Sequence, residues 1–324
     1  MHSGDIPETI GHYRIVSLLG EDAHGVIYQA VAQDTEQTVA LKVLPAEAFP
    51  SSEVRQQFLA EARAQAQVTH PHLRQVYEAG ETDTGIYLAM EYLQGSTLKN
   101  LLVAGSVELV AALEWSAEIC EALAALHAKG LAHGYLRPEK IFITQESHAK
   151  LLDAGLWRLK VPVGVDLSDE KNLRTSGLEP AVVAGLAPEQ LRGEAPTPRS
   201  DLYGLGVVLY EMLTGRNPFA DRRAAQSMHW VLGRTPPPPS RLRPGIPAEL
   251  DQVVARALSR EPAGRFSSAN KFAAALRSVV VEEELALLVA EPSLWKLAAP
   301  LWLAIGGAIL VLLLWFLFLA LTHP

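Results

Sequence analysis

The stretch "HGYLRPEKI", His133 to Ile141, sets an imidazole, a phenol, a guanidinium, a carboxylate and an ammonium in one short loop. The Tyr135 phenol, with an ordinary pKa of about 10, stays protonated at neutral pH and cannot act there as a general base. Further on, "LLDAGLW" offers Asp153 as an oxygen ligand for a cation. Upstream, "TVALKVL" carries Lys42 and "FLAEARA" carries Glu61. In "LGEDAHGVIYQA", Gly20 and Gly25 suit either an ordinary hairpin turn or close approach of backbone N–H groups to a ligand. Asp22 between them brings bulk and negative charge.

These side chains need elements to hold them. From about Tyr13 to Met90 the pattern predicts short strands and one helix. In Thr38 to Leu44, Val39, Leu41 and Val43 alternate with Ala40 and Lys42, which sends Lys42 to the opposite face. A helix is expected from Ser52 to Thr69, opened by a serine cap and stopped before Pro71. After "EYLQGS" the chain turns mainly helical, with one long helix ending at Gly130 and another, "DLYGLGVVLYEMLTG", ending at Gly215. The proline run from Thr235 to Pro247 reads as an extended connection between helices, with a ligand for a proline-binding domain as the alternative.

The 324 residues can build one large domain or two modest ones. A net charge of -8 gives no sign of a nucleic-acid-binding surface. Cys120 is the one cysteine, so no disulfide framework exists, and its apolar helical setting predicts a reduced core thiol.

Strand-rich then helical, with these motifs in this order, the chain resembles the protein kinase superfamily, and bacterial membrane-anchored serine/threonine kinases in particular, over about residues 11 to 278. The resemblance implies an α+β bilobal fold. Its N-lobe, about 11 to 90, would be an antiparallel sheet plus one helix; its C-lobe, about 95 to 278, would be mainly helical. It implies ATP as cofactor. Gly20 and Gly25 then belong to the glycine-rich loop, and Lys42 is the strand lysine paired with Glu61. Met90 is the gatekeeper, and Glu91 and Leu93 lie in the hinge whose backbone receives adenine. Asp153 is the metal-binding aspartate, Ala187, Pro188 and Glu189 match A-P-E, Asp201 opens the central helix, and Arg265 is placed to pair with Glu189.

Several positions depart from the family pattern. Asp22 replaces the middle glycine, where a carboxylate about 5 Å from a phosphate, at an effective dielectric of about 20, is repelled by about 3 kcal/mol per unit charge. In the loop H-R-D-L-x-x-x-N, Gly134 replaces arginine, Tyr135 the catalytic aspartate and Lys140 the metal-binding asparagine. Loss of a general base costs about 10² to 10⁴ in rate. Ala154 replaces the phenylalanine of D-F-G, and Val182 and Gly185 stand where threonine and tyrosine seat a peptide. Lys140 has a stem long enough to reach Asp153 or a phosphate oxygen; the alternative is that it turns to solvent. No catalytic residue is therefore assigned, and magnesium is expected to bind weakly or not at all. The expected function is a pseudokinase acting as an interaction or regulatory module, either with ATP bound without phosphotransfer or with an empty cleft and only its surface in use. The alternative is a weakly active or atypical serine/threonine kinase.

From Leu297 to Leu321 the chain is uncharged for about 25 residues, which as a helix reaches roughly 37 Å, enough to cross a bilayer core. The opening MHSGDIPETIGHY lacks the basic and apolar regions of a signal peptide. Residues 279 to 296 are expected to be a juxtamembrane linker, followed by a single transmembrane helix over 297 to 321. The kinase-like part is then expected on the cytoplasmic side, with cytoplasmic proteins, active kinases among them, as partners.

Overall fold

A computed structural model describes residues 7–22, 25–49, 51–82, 85–154 and 162–290. The chain divides into two compact units, Met1–Ser278 and Val279–Pro324, the second described only as far as Ala290. The expected membrane span at 297 to 321 lies outside the described residues. Among the described residues no helix is long and apolar enough to cross a membrane.

In the first unit, β1 (Thr9–Ile10), β2 (Tyr13–Asp22), β3 (Gly25–Ala32), β4 (Thr38–Pro45), β5 (Val76–Thr82) and β6 (Gly85–Glu91) form an antiparallel sheet. Its order is β1-β2-β3-β4-β6-β5. The sheet opens at Thr9, slightly ahead of the expected lobe boundary. The alternation in β4 works as the sequence pattern requires. Val39 and Leu41, with Val43 beside them, pack with Tyr13, Ala30, Tyr87 and Ala89 on one face. Leu44 faces the other side, against Phe58, Leu59 and Ala62 of α1 (Ser52–Ala66). The Ser51 hydroxyl accepts the Val54 N–H and caps α1. The helix stops at Ala66, three residues short of the expectation, because Gln67 and Val68 turn back onto Ala64 and Gln65.

Beyond the hinge come β7 (Gly95–Thr97), α2 (Leu98–Leu102) and the long α3 (Leu109–His127), which buries Cys120 and ends before a turn at Gly130. Strands β8 (Ile141–Thr144) and β9 (Ala149–Leu151) complete a small sheet in the order β7-β8-β9. Short helices α4 (Glu170–Ser176), α5 (Pro180–Val183) and α6 (Pro188–Leu191) follow. Next is α7 (Pro198–Thr214), which is buried along nearly its whole length. Thr197 caps α7, proline opens it, and Gly215 closes it at φ 76°, a left-handed turn that glycine adopts without strain. Helices α8 (Ala224–Gly233), α9 (Ala248–Ala257) and α10 (Ala269–Ala290) complete the described chain.

Candidate functional site

The loop after α3 is held from below by one buried carboxylate. Asp201, in the first turn of α7 and 2% exposed, accepts the His133 N–H at 2.8 Å and the Gly134 N–H at 2.7 Å. It also meets His127 Nε2 at 2.8 Å. The His133 ring is buried and meets the Leu152 carbonyl through Nε2 at 2.9 Å; burial lowers its pKa, so it stays neutral. Gly134 sits at φ 78°, where an arginine side chain would be strained.

Tyr135 fills the position from which a base would act. It is 6% exposed, and its hydroxyl accepts a short hydrogen bond from Arg137 Nη1. Burial raises the phenol's pKa, more than Arg137 lowers it, so the hydroxyl keeps its proton at neutral pH. The nearest acid does not replace it. Glu139 accepts both Arg137 Nη2 at 2.9 Å and Arg137 Nε at 3.1 Å, and Lys99 lies 3.4 Å away. Burial raises its pKa, but Arg137 and Lys99 outweigh that and keep it ionised.

Asp153 is the electrostatic centre of the cleft. Its φ of 55° places it in the left-handed region, unusual for a residue with a side chain. Lys140 Nζ lies 2.5 Å from Oδ2, Arg74 Nη2 donates to Oδ1 at 2.7 Å, and Lys42 Nζ stands 4.0 Å from Oδ2. Lys140 therefore does not turn to solvent. Burial pushes the Asp153 pKa up, but Lys140, Lys42 and Arg74 together hold it well below the usual carboxylate range. Arg74 was not anticipated. Its one signal in the sequence is a charge between Leu73 and Val76, in a segment that both neighbours bury. The same guanidinium donates to the Met90 sulfur at 2.9 Å, in the gatekeeper position.

The remaining predicted residues take varied places. Glu61, on α1, borders a cavity shared with Gln65, Leu131, Ala132 and Ala154, where the smaller alanine stands for a phenylalanine. The Glu91 carboxylate is engaged by Lys150 at 2.8 and 2.9 Å, and its N–H donates to the Gln75 carbonyl at 2.9 Å. Leu93 is half-buried, and no partner for its backbone N–H or C=O exists among the described residues. It thus leaves a hydrogen-bonding edge in the hinge. Gly20 has open space where a Cβ would stand. At Gly25 a Cβ would come within 2.0 Å of the Val43 carbonyl, so this glycine serves the approach of β3 to β4. Asp22 ends β2, but its side chain lies outside what is described.

Behind the site the frame is intact. Arg265 bonds Glu189 at 2.6 and 2.8 Å, both nearly fully buried, while Ser200 donates to the same carboxylate at 2.9 Å.

The protein kinase domain family matches residues 13–276. This chain belongs to the protein kinase family. It is 34% identical over 281 residues to the serine/threonine-protein kinase Pkn1 of Myxococcus xanthus, covering 84% of this chain and 39% of that protein. It is 32% identical to the serine/threonine-protein kinase PknH of Mycobacterium bovis, covering 85% of this chain and 45% of the relative. The chain thus spans less than half the length of either relative. Its fold is similar to the crystal structure of the Mycobacterium tuberculosis PknI kinase domain, with a TM-score of 0.68 and 26% identity over 85% of this chain and all of that one. Both relatives are named as serine/threonine-protein kinases, which lends nothing to the expectation that this chain is not an enzyme.

Membership of the family implies ATP and, ordinarily, magnesium. The cations around Asp153 suit phosphate charge, and the Leu93 edge suits adenine. Magnesium does not fit. It needs free carboxylate oxygens, whereas both oxygens of Asp153 already hold cations at 2.5 and 2.7 Å. Lys140 offers no lone pair where the family has asparagine. At about 4 Å and an effective dielectric of about 20, an ammonium repels a divalent ion by about 8 kcal/mol.

Proposed function

We propose that this chain is a kinase-fold regulatory or docking module that does not transfer phosphate. It is held at a membrane by residues 297 to 321, with the kinase fold on the cytoplasmic side, and it acts on cytoplasmic proteins, active kinases among them. The observation that carries this reading is Tyr135. A buried, protonated phenol held by Arg137 occupies the place from which a carboxylate would take the substrate's proton. The committed state of Glu139, the only acid in the loop, supports it too. The presence of the Glu189–Arg265 pair and of the Asp201 anchor, beside a site without a base, supports a fold that serves through its surface rather than through turnover.

Autophosphorylation with radiolabelled ATP tests the reading, with Asp153→Ala as control. No incorporation above that control is expected. Incorporation that vanishes in Asp153→Ala would sink it.

A second reading is a weak or atypical serine/threonine kinase. The comparisons favour it over the first, because the relatives matched over most of this chain are named as such kinases. The site chemistry favours the first. The same assay separates the two.

A further inference from the structure

Lys140, Arg74 and Lys42 converge on Asp153 at 2.5, 2.7 and 4.0 Å, and no side chain among the four is more than 13% exposed. One carboxylate cannot balance three cations. Counting Glu61 on α1 as a second anion still leaves an excess positive charge. The other acids nearby are committed elsewhere, Glu139 to Arg137 and Lys99, and Glu91 to Lys150. Arg74 Nε is moreover buried with no hydrogen-bond partner. A buried excess cation with an orphaned donor is costly unless an anion joins it.

The geometry points to a site for a nucleoside polyphosphate taken without a divalent metal. Lys140 and Arg74 assume the charge-neutralising place of the ion, and Lys42 adds a third positive charge. Leu93 leaves a backbone edge for the base. A polyphosphate supplies the missing negative charge, and the ammonium of Lys140 keeps donors to spare after bonding Asp153. Metal exclusion and phosphate binding thus have one cause, a lysine where a metal ligand would be. This inference rests on the reading of the chain as a kinase fold whose cleft takes a nucleotide, the part of the proposed function that does not depend on phosphotransfer.

The test is equilibrium dialysis of the full-length protein in detergent with radiolabelled ATP, once in excess magnesium and once in EDTA. The two dissociation constants are expected to agree within about threefold, well inside the tenfold step that marks one lost interaction. In Lys140→Asn, binding in EDTA should weaken by about tenfold or more and return with magnesium. Binding by the unmodified protein only with magnesium, or no binding under either condition, would overturn the inference. The unmodified protein decides this even if the variant folds poorly. Both adverse outcomes leave the autophosphorylation result standing. Conversely, turnover in that assay would defeat the non-transferring reading while metal-free binding stood.

Discussion

Arg265 grips Glu189 through two nitrogen–oxygen contacts of 2.6 and 2.8 Å while 1% exposed, and Tyr203 lies under its guanidinium at 4.8 Å. The remaining donors of Arg265 go to the carbonyls of Arg199, Ser259 and Arg260. Glu189→Gln removes the charge and leaves Arg265 buried without its counter-ion. The expected loss is about 3 to 5 kcal/mol. Thermal melting should show it as a drop of roughly 10 °C for a domain of this size. A drop of only a degree or two would mean that the ion pair is dispensable.

Restoring Tyr135→Asp alone should give no useful phosphotransfer. Lys140 still occupies the metal-ligand place, 2.5 Å from Asp153, and Asp22 still stands among the glycines. Converting all three, with Lys140→Asn and Asp22→Gly, is where autophosphorylation is expected to emerge. Radiolabel incorporation by the single variant at the level of the triple variant would show that the lysine matters little.

Acid should destabilise the fold in two windows. The folded pKa of His133 is lowered by burial, so its contribution is present above the unfolded value of 6.5 and is lost as pH falls below it. Asp153 is likewise depressed in the folded state, here by its cations against its burial. Its contribution is present above the unfolded value of 3.8 and is lost as pH falls toward the lower folded value. Melting temperature should therefore decline first from about pH 6.5 and again below about pH 4. A profile flat down to pH 5 would contradict the buried neutral imidazole.

The two glycines should separate under substitution. Gly25→Ala drives a Cβ to 2.0 Å from the Val43 carbonyl and should cost about 1 to 3 kcal/mol by splaying β3 from β4. Gly20→Ala meets nothing within 4 Å and should lie within about 0.5 kcal/mol of the parent. Chemical denaturation of both variants checks this. Equal effects would refute the packing role of Gly25.

The full-length protein should fractionate with membranes, and a chain cut before about Leu294 should be soluble and folded. The motive is the change from mixed sequence to an uncharged stretch after Lys296. Recovery of both forms in the soluble fraction would defeat the anchor.

Much of the frame was legible because its rules are local. Alternation placed Lys42 away from Val39 and Leu41, a serine capped α1, and Gly215 closed α7, although α7 starts at Pro198, three residues ahead of the expected Asp201. The order of motifs foretold Glu189 with Arg265. The sequence could say that Tyr135 is no base, since a phenol's acidity belongs to the residue. It left two fates open for Lys140, gave Arg74 no role, and left Gly25 between a hairpin turn and close approach to a ligand, with no hint of its packing against β4. The helices α4 and α5 before A-P-E were not foreseen, because their turns are short and Asp169 caps α4 within a polar run. Arg74 reaches Asp153 across 79 positions of chain, and Gly25 meets Val43 only because β3 and β4 pair. Such contacts depend on which distant segments the core brings side by side. Residue types and spacing fixed the chemistry each group could do; the packing of sheet against helices decided which charge faces which.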